Sequence, residues 1–226
     1  MKVVILAGGK GSRLSEYTKK IPKPMVPIKK KPILIHIMKH YAKFGFKDFI
    51  IASGFKHKFI KKYFNKRVKD WKIKVVNTGI NTLTGGRIKR LKKILNNEKF
   101  FLTYGDGVSN VNLKKLLNFH NSSNCHATLT AVRPPARFGA IKITNNKVSV
   151  FREKSSLDTG WINGGFFIFE PQIFNHLKSD KTVLEKEPLT NLGKKGNLKA
   201  FKHYGFWQCM DTIRDKEILD KAKEIK

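Results

Sequence analysis

Apolar residues come in short unbroken runs in the first half of the chain and in shorter alternating pieces in the second. The run Val3 to Ala7 ends in a glycine cluster, the pattern of a buried parallel strand that feeds a phosphate loop. Pro32 then opens a helix that carries Ile33, Ile37, Tyr41 and Phe44 on one stripe, and Gly45 ends it. Asp48 to Ser53 reads as a second buried strand, Phe55 to Phe64 as a second helix, and Lys72 to Asn77 as a third strand. Phe100 to Tyr104 is a fourth strand and stops at Gly105-Asp106-Gly107. Strands alternating with helices in this way predict crossover connections and a mainly parallel sheet.

Beyond about residue 125 the rhythm changes. Ala127 to Val132, Gly139 to Ile143, Val148 to Glu153 and Gly165 to Phe169 predict strands separated by short turns, so antiparallel pieces join the sheet. Val183 to Lys194 and Thr212 to Lys223 are expected to close the chain as helices. No low-complexity linker and no internal repeat interrupts the pattern. The expectation is one mixed α/β domain whose mostly parallel sheet is flanked by helices.

Composition narrows the picture. The chain has 226 residues, 40% hydrophobic and 28% charged, which is globular and far from a disordered composition. Lys and Arg number 47 against 16 Asp and Glu, a formal charge of +31. Arginine, the usual reader of bases, is scarce, and lysines run from Lys2 to Lys226 without forming a stripe. That dispersion predicts a solvated basic surface and no specific nucleic-acid footprint. It also suits polyanionic small substrates. Cys125 and Cys209 make no disulfide framework and have no metal-ligand spacing around them. With no stretch of membrane-spanning length and no signal segment ahead of Gly8-Gly9, a cytoplasmic protein without a membrane partner is expected.

Four places carry candidate chemistry. The loop Leu6-Ala7-Gly8-Gly9-Lys10-Gly11-Ser12-Arg13 follows the first strand, where glycines let backbone N–H groups approach an oxyanion and cations neutralise it. It fits neither the dinucleotide fingerprint nor a Walker loop. Ile21-Pro22-Lys23-Pro24 holds one lysine between two prolines, which fixes where its ammonium reaches. Asp106 stands at the carboxyl end of a strand, the edge where open α/β sheets bind ligands. Asp211 follows the apolar Phe206 to Met210; two carboxylates converging on one point would hold Mg²⁺ through oxygen ligands. Singly, each has an ordinary reading: a tight turn, a solvated lysine, a turn former, and the cap of the last helix.

Taken in order, Gly8-Gly9-x-Gly11-x-Arg13-Leu14, Pro22-Lys23-Pro24, Gly105-Asp106-Gly107, Glu153-Lys154, Asn163-Gly164-Gly165 and Asp211 resemble the sugar-1-phosphate nucleotidylyltransferases over nearly the whole chain. The segments 78–87, 103–107, 137–140, 160–167 and 205–212 look most like the branch of that family that joins cytidylyl groups to glucose 1-phosphate. Uridylyl and thymidylyl relatives usually carry a Gln-containing segment before their counterpart of Arg87, where Thr84-Gly85-Gly86 stands here. Two departures stand out. Only Asn65 to Trp71 fills a place where relatives carry a longer excursion, and Ile80 replaces a usual acid.

The resemblance implies a Rossmann-like sheet of the nucleotide-diphospho-sugar transferase type, with nucleotide bound by residues of about 1–125 and sugar phosphate by about 126–211. It implies Mg²⁺-dependent transfer from CTP to α-D-glucose 1-phosphate, with UTP, dTTP or GTP, or another sugar phosphate, as alternatives. A non-catalytic or nucleic-acid-binding protein on the same fold is the remote one. Arg13, Lys23, Asp106 and Asp211 would be the catalytic set, with both acids on the metal. Leu6 to Arg13, Lys23, Thr82, Gly85, Arg87 and Tyr104 would bind the nucleotide. Gly139, Glu153, Lys154, Asn163 and Gly164 would bind the sugar phosphate. Trp161 and Trp207 would wall the sugar pocket or pack in the core. A homo-oligomer and a place in making sugars for a surface polysaccharide also follow from the resemblance alone.

Overall fold

The computed structural model describes residues 1–65, 70–135, 139–152 and 160–225. Its centre is β1 (Lys2–Ala7), paired in parallel with β4 (Asp48–Ser53) on one side and with β6 (Phe100–Tyr104) on the other. Outward from β4 lies β5 (Lys72–Asn77), also parallel. Between these strands run α2 (Ile33–Lys43), α3 (His57–Phe64), α4 (Thr84–Arg90) and α5 (Lys92–Leu95), with the one-turn α1 (Ser15–Thr18) ahead of them. The small ribbon of β2 (Pro27–Ile28) and β3 (Lys31–Pro32) precedes α2. The chain winds from β1 through β4 to β5 in one direction, then crosses back to place β6 on β1's far side. That reversal opens a crevice at the carboxyl ends of β1 and β6.

Alternate residues of the central strands feed two cores. Val3, Ile5, Phe49, Ile51 and Phe101 pack with Ile33, Leu34, Ile37, Met38 and Tyr41 of α2. Val4, Leu6, Ile50, Phe100 and Leu102 face the other way, against Ile88, Leu91 and Leu95. Burial on both faces is why these strands read as unbroken apolar runs. Pro32 caps α2 and Gly45, at φ 91°, follows its end, as its sequence signals require.

The second half departs from the expectation in three respects. The strands expected at 139–143 and 148–153 form β9 (Ala140–Thr144) and β10 (Lys147–Arg152), but they pair only with each other and stand off the sheet. Their exposed Ile141, Ile143, Val148 and Phe151 gave the apolar alternation that suggested membership. The helix expected from Val183 begins only at α7 (Glu187–Lys194), where Pro188 supplies a first-turn residue without an N–H to satisfy. Residues 178–186 form instead a strap across the start of α4. Finally, β13 (Leu198–His203) adds a parallel strand to β8 (Ala127–Val132) along its full length.

On β8's other edge, β11 (Ile162–Asn163) and β12 (Phe167–Phe169) share the pairing, and β12 continues onto β6. They are separated by a kink in which Gly165 (φ 76°) and Phe166 (φ 48°) adopt left-handed backbone. Phe166, Phe167 and Phe169 are core residues, as their apolar run predicts. The remaining elements are α6 (Leu113–Ser122), the antiparallel pair β7 (Gly107–Ser109) and β14 (Trp207–Cys209), and α8 (Ile213–Lys221).

One consequence of this packing is an acid sensitivity. His40 Nε2 donates to the Val111 carbonyl at 2.9 Å, and burial, with Lys43 nearby, lowers the ring's pKa from 6.5 to about 4. The unfolded ring takes up its proton first as pH falls. Stability is therefore full at neutral pH and declines through the window from 6.5 down to about 4. Between pH 7 and 5 this group alone is expected to cost about 2 kcal/mol. Melting curves of the unaltered protein and of His40→Gln, which keeps a donor to Val111, check it: the substitution should remove that part of the pH slope.

Candidate active site

A cavity of about 330 Å³ opens at the crevice between β1 and β6. Leu6, Ala7, Gly8, Gly9, Gly11, Ser12 and Arg13 line one side, and Tyr104 to Asp106 with Thr82 to Thr84 line the others. Of the loop residues expected at the nucleotide, Lys10 points to solvent and is absent from the wall. Gly11 adopts φ 66°, and a Cβ there would sit 2.9 Å from the Lys23 stem, so the glycine lets the lysine lie directly against the loop.

Lys23 occupies the centre of the charged part. It begins a short 3-10 turn behind Pro22 and is only 11% exposed. Its ammonium donates to Asp106 Oδ2 at 2.7 Å and to Asp211 Oδ1 at 2.6 Å. Burial pulls the Lys23 pKa down, but the two carboxylates outweigh it and hold it above the ordinary value. Arg13, largely exposed, donates to the second oxygen of Asp211 at 2.8 Å.

The two acids, remote in sequence, meet through the β7–β14 pair, in which Gly107 faces Cys209 and the Met210 amide donates to the Asp106 carbonyl at 2.8 Å. Asp211 does not cap the last helix. Thr212 does, in a capping box with Asp215, and Asp211 is left to point at Lys23. Carboxylate oxygens from both chain segments already surround one point cation, and an all-oxygen anionic donor pair suits a hard divalent ion. Among the described residues no third His, Cys, Asp or Glu joins them in a cluster.

Arg87 lies in the cavity wall yet is only 4% exposed. Its guanidinium donates to Gly8 O at 2.9 Å, Gly79 O at 2.7 Å and Thr78 Oγ1 at 2.7 Å. A Cβ on Gly8 would fall 2.1 Å from Arg87 Cζ, so the glycine exists to let the arginine under the loop. The side chain thus braces the loop from behind, joining the ends of β1, β4 and β5. Burial lowers its pKa, with Arg90's charge adding to that, but guanidinium stays charged in proteins.

Gly85 and Gly86 serve the strap. The Gly85 and Gly86 amides both donate to Thr182 O, and a Cβ on Gly86 would overlap the Asp180 backbone at 2.4 Å. Gly85 therefore lies behind the wall, with Thr82 and Thr84 facing the cavity. Of the residues expected at the sugar phosphate, Asn163 donates through Nδ2 to the Tyr104 hydroxyl at 3.3 Å, and its Oδ1 accepts from Gly165 N at 2.9 Å. Gly164 packs against Val132 with no space for a side chain. Trp207 Nε1 donates to the Gly164 carbonyl at 2.8 Å, while Trp161 packs edge-on against Tyr204. Gly139 is exposed at the foot of the β9–β10 hairpin. Glu153 and Lys154, together with Arg137 and Phe138, lie outside the described residues.

Sequence reasoning missed Glu185, which reaches the cavity rim from the strap. It looked like one more polar position of a helix, and no local motif marks it.

Known proteins resemble this chain over most of its length. Residues 2–208 match the family model described as nucleotidyl transferase. The glucose-1-phosphate cytidylyltransferase of Salmonella typhimurium is 46% identical, over 97% of this chain and 95% of its own length. That alignment runs over 243 positions, more than this chain's 226 residues, so the two chains differ by insertions. The D-glycero-α-D-manno-heptose 1-phosphate guanylyltransferase of Campylobacter jejuni is 36% identical, over 77% of this chain and 78% of its own. Among solved structures, HddC from Yersinia pseudotuberculosis complexed with GMP-PN superposes with a TM-score of 0.78 at 28% identity, covering 97% of this chain and 98% of that one.

Proposed function

The chain belongs to the nucleotidyl transferase family, and from that premise we propose that it transfers a cytidylyl group from CTP to α-D-glucose 1-phosphate, giving CDP-glucose and pyrophosphate. The observation that carries this reading is the meeting of Lys23, Arg13, Asp106 and Asp211 at the sheet's switch point, in a chain so similar to a cytidylyltransferase.

The reaction is an in-line attack of a phosphate oxygen on the α-phosphorus of the triphosphate. A phosphate monoester loses its second proton near pH ~6, so the nucleophile arrives charged and needs no general base. What needs lowering is repulsion between polyanions and the cost of aligning them. The loop from Leu6 holds the triphosphate and the base edge, stiffened from beneath by Arg87. Lys23 turns from its carboxylates to the α-phosphate and the incoming sugar phosphate, and Arg13 takes the departing pyrophosphate. Asn163 serves the sugar, Tyr104 stands in the nucleotide cavity wall and bonds to Asn163, and Glu153 and Lys154 are assigned to the sugar phosphate by the resemblance alone. The part up to about residue 125 serves the nucleotide and the part from about 126 to 211 the sugar phosphate.

Nucleotidyltransferases of this family generally use a divalent metal. Asp106 and Asp211 are the residues that would hold it; when bound, Mg²⁺ supplies charge neutralisation on the phosphates. Among the described residues no helix is long and apolar enough to cross a membrane.

The test is pyrophosphate release with Mg²⁺ and glucose 1-phosphate against CTP, UTP, dTTP, GTP and ATP in parallel. Release with CTP at least tenfold faster than with any other triphosphate is expected. Preference for GTP, or for a heptose 1-phosphate over glucose 1-phosphate, would keep the family and overturn the cytidylyl and glucose assignments. Silence throughout would overturn the activity.

A further inference from the structure

Glu185 projects from the strap to the junction between the nucleotide cavity and Asn163. The Tyr104 hydroxyl donates to its Oε1 at 2.7 Å, and Thr84 Oγ1 donates to its Oε2 at 2.6 Å. Both donors come from the cavity wall. The same tyrosine oxygen accepts from Asn163 Nδ2, so Glu185, Tyr104 and Asn163 form one chain of hydrogen bonds along the rim. Its direction is fixed. Burial, and then the Glu185 charge, raise the Tyr104 pKa, so the phenol keeps its proton, gives it to the carboxylate and only accepts from the amide.

The acid is also fixed in place. Leu83 N donates to Asp180 O at 2.9 Å, Leu184 N donates to Thr84 Oγ1 at 2.9 Å, and Arg90 Nε donates to Asp180 Oδ1 at 2.9 Å. With Gly86 closed against the Asp180 backbone, these bonds tie the strap that carries Glu185 to the start of α4. Glu185 itself remains solvent-exposed, and each carboxylate oxygen accepts more than one hydrogen bond. Glu185 bonds two wall residues from the rim without itself lining the cavity. Unlike Asp106 and Asp211, it has among the described residues no paired cation to offset its repulsion of phosphate. It serves the uncharged part of the substrates, and its coupling to Asn163 places it on the sugar rather than on the base.

We propose that Glu185 accepts a hydroxyl of the sugar 1-phosphate and so sets which sugars the enzyme takes, a role that rests on the transferase reading above. The experiment compares the unaltered protein, Glu185→Gln and Glu185→Asp on the sugar 1-phosphate and on its monodeoxy analogues, using whichever nucleotide and sugar pair turns over in the nucleotide panel. Failure of the cytidylyl reading changes that pair and not the comparison. For Glu185→Gln we expect kcat/KM to fall about tenfold through a higher KM for the sugar phosphate, with the KM for the nucleotide within twofold. The penalty should vanish against the one analogue that lacks the bonded hydroxyl, and Glu185→Asp should shift selectivity at that same position. An equal loss on every analogue would overturn the proposal in favour of a merely structural strap, and melting curves would show the accompanying loss of stability. A loss confined to the nucleotide KM would overturn it in favour of a contact with the base.

Discussion

Lys23→Ala is expected to lower turnover by about 10²–10³, the usual result of removing one preorganised charge contact from a transition state. The structure makes this lysine hard to replace. Pro22 and Pro24 fix its backbone, Gly11 lets its stem lie against the loop, and its ammonium sits between two carboxylates. Truncation leaves Asp106 and Asp211 facing each other without the cation that now separates them. The variant should therefore bind Mg²⁺ in the absence of nucleotide more tightly than the unaltered protein does. That is measurable by calorimetry or by a metal-dependent rise in melting temperature. Loss of turnover together with this gain in metal affinity marks a role in the reaction; unchanged turnover would remove Lys23 from the site.

Asp106→Asn is expected to cost as much or more, about 10³ in turnover, and to raise the Mg²⁺ concentration needed for half-maximal rate. An amide keeps the shape but offers no anionic oxygen to a divalent ion. The backbone of residue 106 is anchored independently, since its carbonyl accepts from Met210 N and Gly105 N donates to Leu6 O. The fold should survive, with a melting temperature close to that of the unaltered protein. Magnesium titrations of the rate decide the matter: an unchanged half-saturation point would free Asp106 from the metal assignment.

The parts legible in the sequence were those whose cause is local. Val3 to Ala7 shows burial on both faces in its own composition, and Gly45 and Pro32 mark the ends of α2 by their own backbone limits. Asp106 is recognisable because a strand end between glycines needs no partner to be noticed. What stayed hidden depends on neighbours distant in the chain. Thr82, Gly85 and Arg87 read as a nucleotide pocket, yet Gly85 and its neighbour Gly86 serve the strap of Asp180 and Thr182, and the arginine is held by the carbonyls of Gly8 and Gly79. Residues 183–186 have helical composition, but hydrogen bonds to Leu83, Thr84 and Gly85 hold the strap open until Pro188 permits a first turn. β13 escaped notice because an edge strand studded with Lys199 and Lys202 lacks the apolar run of its interior counterparts.

The pairing of Lys23 and Arg13 with Asp106 and Asp211 sets two cations against two anions, so this cluster carries no net charge. The chain around it carries +31. On the proposed reaction, attraction of a triphosphate would fall to the scattered surface lysines, whose field decays over about 8 Å at physiological ionic strength. Those lysines would draw in two anionic substrates, and the four paired charges would part only when a phosphate displaces a carboxylate.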